Sequence, residues 1–260
     1  MKFIHKLGVI LSLGILLTPP AIASIAVGAS RIIFTASDSS QSIDINNRSH
    51  NQPYLINVGI SESLSAKSSN SVFMPTPALF RIEPDSANKI RILKKSNSLP
   101  GDRESVFYLN ILAIPTGKTG QENNDNKVGG TLQVATGNTL KLFHRPDNLP
   151  MTQKEAMGKL QFSRAGQSVK VSNPTPYFIS LNKLTIDGKK IPLDVIKGTS
   201  MIAPFASNNY PVTAGQGKLR NIFCVEFERR RVDRHLTIAI HYRGFNVSGG
   251  SQCLTGRNAG

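Results

Sequence analysis

Apolar and polar residues alternate along this chain in short runs, separated by clusters of Ser, Asn, Gly and Pro. The runs "SRIIFTA", "SIDINN", "PYLINVGIS", "KIRILKK", "ESVFYLNILAIP" and "TLQVATGNTLKLFHRP" follow one another up to Pro146, and none sustains a helical period over ten residues. Such spacing predicts an all-β sandwich. After the polar stretch "DNLPMTQKEAMG", a second series begins with "KLQFSRAGQSVKVSNPTPYFISLNKLTIDGKKI", in which Asp187-Gly188 is a hairpin turn between apolar strands. The economical reading is two β-sandwiches in tandem, residues 24–146 and 147–260, joined near 146–152.

Two strands stand out. Read with period two, Val106, Tyr108, Asn110, Leu112 and Ile114 fall on one face of the run after Glu104, and Phe107, Leu109, Ile111 and Ala113 on the other. With both faces mostly apolar, this strand is central to a sheet or covered on its second side. In the next strand Leu132, Val134 and Thr136 alternate with Gln133 and Ala135, and Leu140 and Leu142 with Lys141 and Phe143. It follows "TGKTGQENNDNKVGG", a Gly/Asn-rich stretch that reads as a mobile surface loop. Folded proteins normally blunt apolar edges, so an unblunted one beside a loop suggests strand addition to a partner.

The first residues set the compartment. Lys2 and Lys6 precede an uncharged apolar run from Leu7 to Leu17, then Pro19, Pro20 and Ala21-Ile22-Ala23. That is a secretory signal peptide, residues 1–23, whose apolar core of eleven residues is short of the roughly twenty that span a bilayer. The mature chain then carries no membrane-spanning segment. Net charge is +15, or +13 once Lys2 and Lys6 are removed. A basic balance raises nucleic acid as a partner, but export argues against it and favours anionic surfaces or a partner's carboxylates. Cys224 and Cys253 are a candidate disulfide pair in an oxidising compartment, without metal-site spacing. The five histidines are scattered, so neither a metal nor a cofactor is expected.

With these features in place, "LPGDRESVFYLNILAIP" (Leu99 to Pro115) closely resembles the signature of the periplasmic pilus-assembly chaperones, which have two immunoglobulin-like domains set at an angle. "SRIIFTA", "LKLFHRP" and "NPTPYFISL" match the same family in order, so the resemblance covers roughly residues 26 to 213. It implies a non-enzymatic chaperone that captures secreted pilus or fimbrial subunits by donor-strand complementation, an established instance of strand addition, and delivers them to an outer-membrane usher without ATP. A free copy would be open to self-association. By alignment Arg31 and Lys141 would hold the subunit's terminal carboxylate, a pairing of planar fork and point charge suited to that group. Leu132, Val134 and Thr136 would be the donor contacts, although Thr136 departs from the large apolar residue usual there. Glu104 and Arg145 would belong to an interdomain ionic network whose third member, an Asp in an "INDYGG"-like stretch, has no counterpart in this sequence. Neither strand flanking the loop holds cysteine, which fits the short-loop branch.

The resemblance stops at Leu219. Ser24 to Lys218 holds 15 Lys and 7 Arg, whereas Leu219 to Gly260 holds no Lys and 7 Arg. Residues 219–260 are therefore atypical, and two readings stand: an out-of-frame tail, or a divergent one in which "HLTIAIHY" forms a strand. The competing function, a pilus structural subunit or adhesin, would have one pilin domain and no such signature. An enzyme would need a motif such as GxSxG, His-Glu-x-x-His or a phosphate loop, and the chain has none of these.

Overall fold

The computed structural model describes residues 24–64, 72–96, 98–116, 134–165, 167–186, 189–211 and 223–227. The expected leader, the Gly/Asn-rich stretch, Leu132, Cys253 and the "HLTIAIHY" segment lie outside the described residues. So does the side chain of Cys224, and the candidate disulfide with it.

The first domain is a sandwich of two sheets. One has the order β1 (Ile25–Val27), β3 (Ser40–Asn47), β7 (Ala87–Lys94), β5 (Phe73–Thr76). The other runs β2 (Arg31–Thr35), β9 (Thr136–Arg145), β8 (Ser105–Pro115), β4 (Tyr54–Ser61), β6 (Leu79–Ile82). Each inward row is the apolar half of an alternating strand: Ile43 and Ile45, Ile90 and Ile92, Ile56, Val58 and Ile60, then Phe107, Leu109, Ile111 and Ala113, all in one buried cluster. Phe34, Phe73 and Phe107 add a chain of ring contacts at 5.0 and 5.1 Å. The chain passes from the first sheet to the second at Gly28, whose N–H donates to the Asp44 carbonyl at 2.9 Å. A Cβ there would meet Asp44 at 3.4 Å, so glycine suits the close approach.

β8 is central, as its two apolar faces predict, with β4 on one side and β9 on the other. Its second face is partly covered: Tyr108 is buried, Val106, Asn110 and Ile114 are half-buried, and Leu112 is 41% exposed. β9 begins at Thr136, later than the alternation from Leu132 predicts, and Val134 and Ala135 precede it outside any strand.

In the second domain β11 (Ser168–Ser172) lies between β10 (Gln161–Ala165) and β15 (Ser207–Pro211). Facing it, β12 (Ile179–Ile186) pairs with β13 (Lys189–Ile191), β14 (Met201–Ile202) and β16 (Phe223–Phe227). The β12–β13 ladder closes at Ile186 and Lys189, as the Asp187-Gly188 hairpin requires. The core joins Val169, Val171, Ile179, Leu181, Leu184, Ile186, Ile202 and Tyr210. The connector between domains holds one element the apolar pattern does not reveal, a single-turn helix α1 (Gln153–Met157). Five residues are too few for a period, but its capping box, Thr152 with Glu155, is written in "MTQKE".

One buried polar group should make the first domain sensitive to acid. His144, on β9, is buried beside Phe73, and its Nδ1 has no hydrogen-bond partner among the described residues. Burial, reinforced by Lys94 and opposed by Asp147, lowers its pKa below the ordinary histidine value. A base held neutral in the fold contributes stability that is complete above its unfolded pKa, about 6.5, and is lost as pH falls toward the depressed folded value. The melting temperature should therefore drop between pH 7 and pH 5, and His144→Phe should flatten that drop; an equally steep drop in the variant would refute the assignment.

Candidate functional site at the domain junction

The cluster in front of β8 is the first half of the junction. Glu104 is 2% exposed. Its Oε1 accepts from Arg145 Nε at 2.7 Å and its Oε2 from the Phe178 N–H at 2.9 Å, while its own N–H donates to the Pro176 carbonyl at 2.8 Å. Burial pushes the carboxyl above the usual glutamate range, against the pull of Arg145, of the Phe178 N–H and, more weakly, of Arg31. Each carboxylate oxygen thus has a donor, one from Arg145 and one from the second domain's backbone, and the Glu104 N–H is bonded to that same backbone.

"NPTPYFISL" presents those two backbone groups. Asn173, almost fully buried, donates from Nδ2 to the carbonyls of Tyr177 (2.7 Å) and Ala203 (3.0 Å), and its Oδ1 accepts from the N–H (3.1 Å) and hydroxyl (2.6 Å) of Thr175. The amide knots the loop into one shape, so Pro176 and Phe178 meet Glu104 already oriented. Arg145 also donates to Gln153 Oε1 at 3.1 Å and lies 5.2 Å from the Tyr177 ring centroid. Gln153, from α1, thus takes a second nitrogen of the guanidinium.

Arg31 and Lys141 are brought together. They are register partners in the parallel ladder between β2 and β9. Strand neighbours lie about 4.8 Å apart with side chains on the same face. Ile32, Phe34 and Leu142 take the core face, so Arg31, Lys141 and Phe143 project outward. That outward face meets the second domain: Lys141 Nζ donates to Ser180 Oγ at 3.3 Å, and the Phe143 and Phe178 rings are 5.8 Å apart. Ser180, at the start of β12, is a site residue that sequence reasoning missed; it is the penultimate residue of "NPTPYFISL", and only the fold sets it opposite Lys141.

Beside the two cations the sheet is incomplete. β9 pairs with β8 from Thr136 to His144, but β2 accompanies it only from Lys141 to Arg145. Residues 136–140 therefore have, among the described residues, one paired margin and one open one, about 16 Å long at the usual strand rise. Thr136 shares the parity of the core residues Leu140 and Leu142, so it continues their row beyond the sandwich. Val134, 63% exposed, lies two residues further out.

An open strand margin that ends on two adjacent cations, where one β-sandwich meets a second, has the chemistry to receive the tail of an extended chain. The comparisons supply its family. Residues 24–150 match the family described as "Pili and flagellar-assembly chaperone, PapD N-terminal domain", and residues 155–225 match "Pili assembly chaperone PapD, C-terminal domain". The chain belongs to the pilus-assembly chaperone family, whose role is non-enzymatic, and its two domains are immunoglobulin-like β-sandwiches. It is 36% identical over 201 residues to the probable fimbrial chaperone SfmC of Escherichia coli, covering 77% of this chain and 82% of that one. To the chaperone protein LpfB of Salmonella typhimurium it is 33% identical over 199 residues, covering 76% and 81%. Among solved structures it is similar to the E. coli chaperone DraB, with a TM-score of 0.62, 30% identity and coverage of 77% of this chain and 92% of that one. It is also similar to the SafB chaperone complexed with the SafA pilin of Salmonella enterica, with a TM-score of 0.65, 25% identity and coverage of 86% and 98%.

Proposed function

We propose that this chain is a periplasmic chaperone that captures secreted pilus subunits by strand addition and passes them to an outer-membrane usher. The observation that carries this reading is the open margin of residues 136–140 ending at Arg31 and Lys141. A terminal carboxylate held by an Arg fork and a Lys ammonium fixes both the direction and the register of the client. Its last strand runs parallel to β9, in line with β2, and stops where β2 begins. Main-chain hydrogen bonds along the margin supply affinity at about 1 kcal/mol each. Leu132, Val134 and Thr136 carry the row of Leu140 and Leu142 into the client's groove, and Glu104 with Arg145 sets the angle between the domains. Delivery to the usher and the short-loop subclass rest on family membership. In the free chaperone the same margin is open to a second copy.

The test is capture. A tagged chain co-expressed with the pilus subunits of its host should co-purify with a small secreted subunit at one to one. A subunit whose terminus is extended by a hexahistidine tail should be lost, because seating the new carboxylate at the cations sets the tail, not the apolar row, along the margin. Equal recovery of extended and native subunits, or no subunit at all, would overturn the reading.

A further inference from the structure

Arg103 and Phe205 belong neither to the carboxylate site nor to the Glu104–Arg145 pair, yet they join the same two domains. Phe205 has φ of 55°, a left-handed conformation in which a bulky residue is strained and which Gly or Asn adopts more readily. Half of it, 51%, faces solvent, so burial in the second core does not explain why phenylalanine stands there. Its ring meets the first domain: the Arg103 guanidinium carbon is 4.8 Å from the ring centroid. Arg103 is itself braced, Nε donating to Asp102 Oδ1 and Oδ2 at 3.1 and 3.2 Å and Nη2 to Oδ2 at 2.7 Å. The backbone beneath the ring is held too, the Phe205 N–H donating to the Thr175 carbonyl at 3.3 Å and the Ala203 carbonyl accepting from Asn173.

We propose that Arg103 and Phe205 form a second clasp across the junction, and that the strained backbone at Phe205 is retained because it swings the ring onto Arg103. The junction contacts of Glu104, Lys141, Phe143 and Arg145 all reach residues 176–180 or the connector, so they leave rotation about that one segment free. Glu104 holds residues 176–178 and its neighbour Arg103 holds residue 205, so the clasps grip two separate segments of the second domain and together fix its orientation. Arg103 and Phe205 are positioning residues that act through the distance between Lys141 and Ser180. Only this last consequence rests on the capture reading.

The experiment uses the full chain. Residual dipolar couplings, fitted separately for each domain, report their relative orientation. In the wild type one alignment tensor should fit both domains. Arg103→Gln and Phe205→Leu should each require two tensors, the double variant should be no worse than either single one, and Arg103→Lys should restore much of the common fit because it returns a cation to the ring. Phe205→Gly separates clasp from fold: it relieves the left-handed strain, so the second domain should melt no lower than in the wild type while the common tensor is lost. One tensor for every variant, or additive effects in the double, would overturn the clasp. Affinity for a native subunit should fall roughly 2- to 5-fold in Arg103→Gln, the size of one exposed cation–π contact. If orientation changes while affinity does not, the clasp stands and its link to capture is refuted; if the wild type binds no subunit, the capture reading fails and the orientation result is unaffected.

Discussion

Arg31→Ala and Lys141→Ala should each give a folded chaperone that no longer retains subunits. Removing one cation leaves a desolvated carboxylate with half of its partners, which costs on the order of 2 to 5 kcal/mol, or roughly 30- to several-thousand-fold in affinity. The fold should survive because both side chains point away from the first core and the β2–β9 ladder is made by backbone. Circular dichroism and thermal melting of the free variants check the fold, and titration with a purified subunit checks the affinity. Arg31→Lys should fall between, because it keeps the charge and loses the two-pronged geometry. Undiminished subunit recovery from either alanine variant would remove these residues from the site.

Glu104→Ala should be the most destabilising single change at the junction, by about 3 kcal/mol, the lower end of what breaking a buried ion pair costs. The lower end applies because Arg145 is partly exposed and keeps Gln153 and Tyr177, whereas the Phe178 N–H loses its acceptor outright. Denaturant unfolding measures the loss, and Glu104→Gln, which keeps the shape and one acceptor oxygen, should lose distinctly less. The sign with pH is opposite to that of His144. A carboxyl whose folded pKa is raised contributes stability that is complete below the unfolded value, roughly 4.3, and declines as pH rises through the folded one. Mild acid therefore acts on His144 first, and an acid-induced loss of stability abolished by Glu104→Gln would contradict both assignments.

Most of the sandwich was legible because strand alternation is a local property. β8 shows this well: its twin apolar rows predict a central position, and it has neighbours on both sides. Glu104 and Arg145 lie 41 residues apart and were paired only through a family signature; the structure puts them 2.7 Å apart. What the signature could not supply comes from backbone and from distant elements. Pro176 and Phe178 contribute a carbonyl and an N–H, which no residue type announces, and Gln153 is reached only because a single helical turn follows the connector. The start of β9 is not legible in the sequence because the alternation from Leu132 to Thr136 continues that of Leu140 and Leu142, and periodicity alone does not say where a partner strand ends. The unusual tail contributes β16, whose ladder with β12 breaks register between Leu181 and Lys183, and the match to the C-terminal family ends at residue 225.

On the proposed reading, the abrupt arrival of β2 opposite Lys141 makes the open margin a ruler with a charged zero mark. Clients would be counted backwards from their last residue, and because side chains alternate, the count would be sensitive to odd and even. A subunit lengthened by one residue would turn its apolar row away from the chaperone, while one lengthened by two would present the same row again, one step displaced.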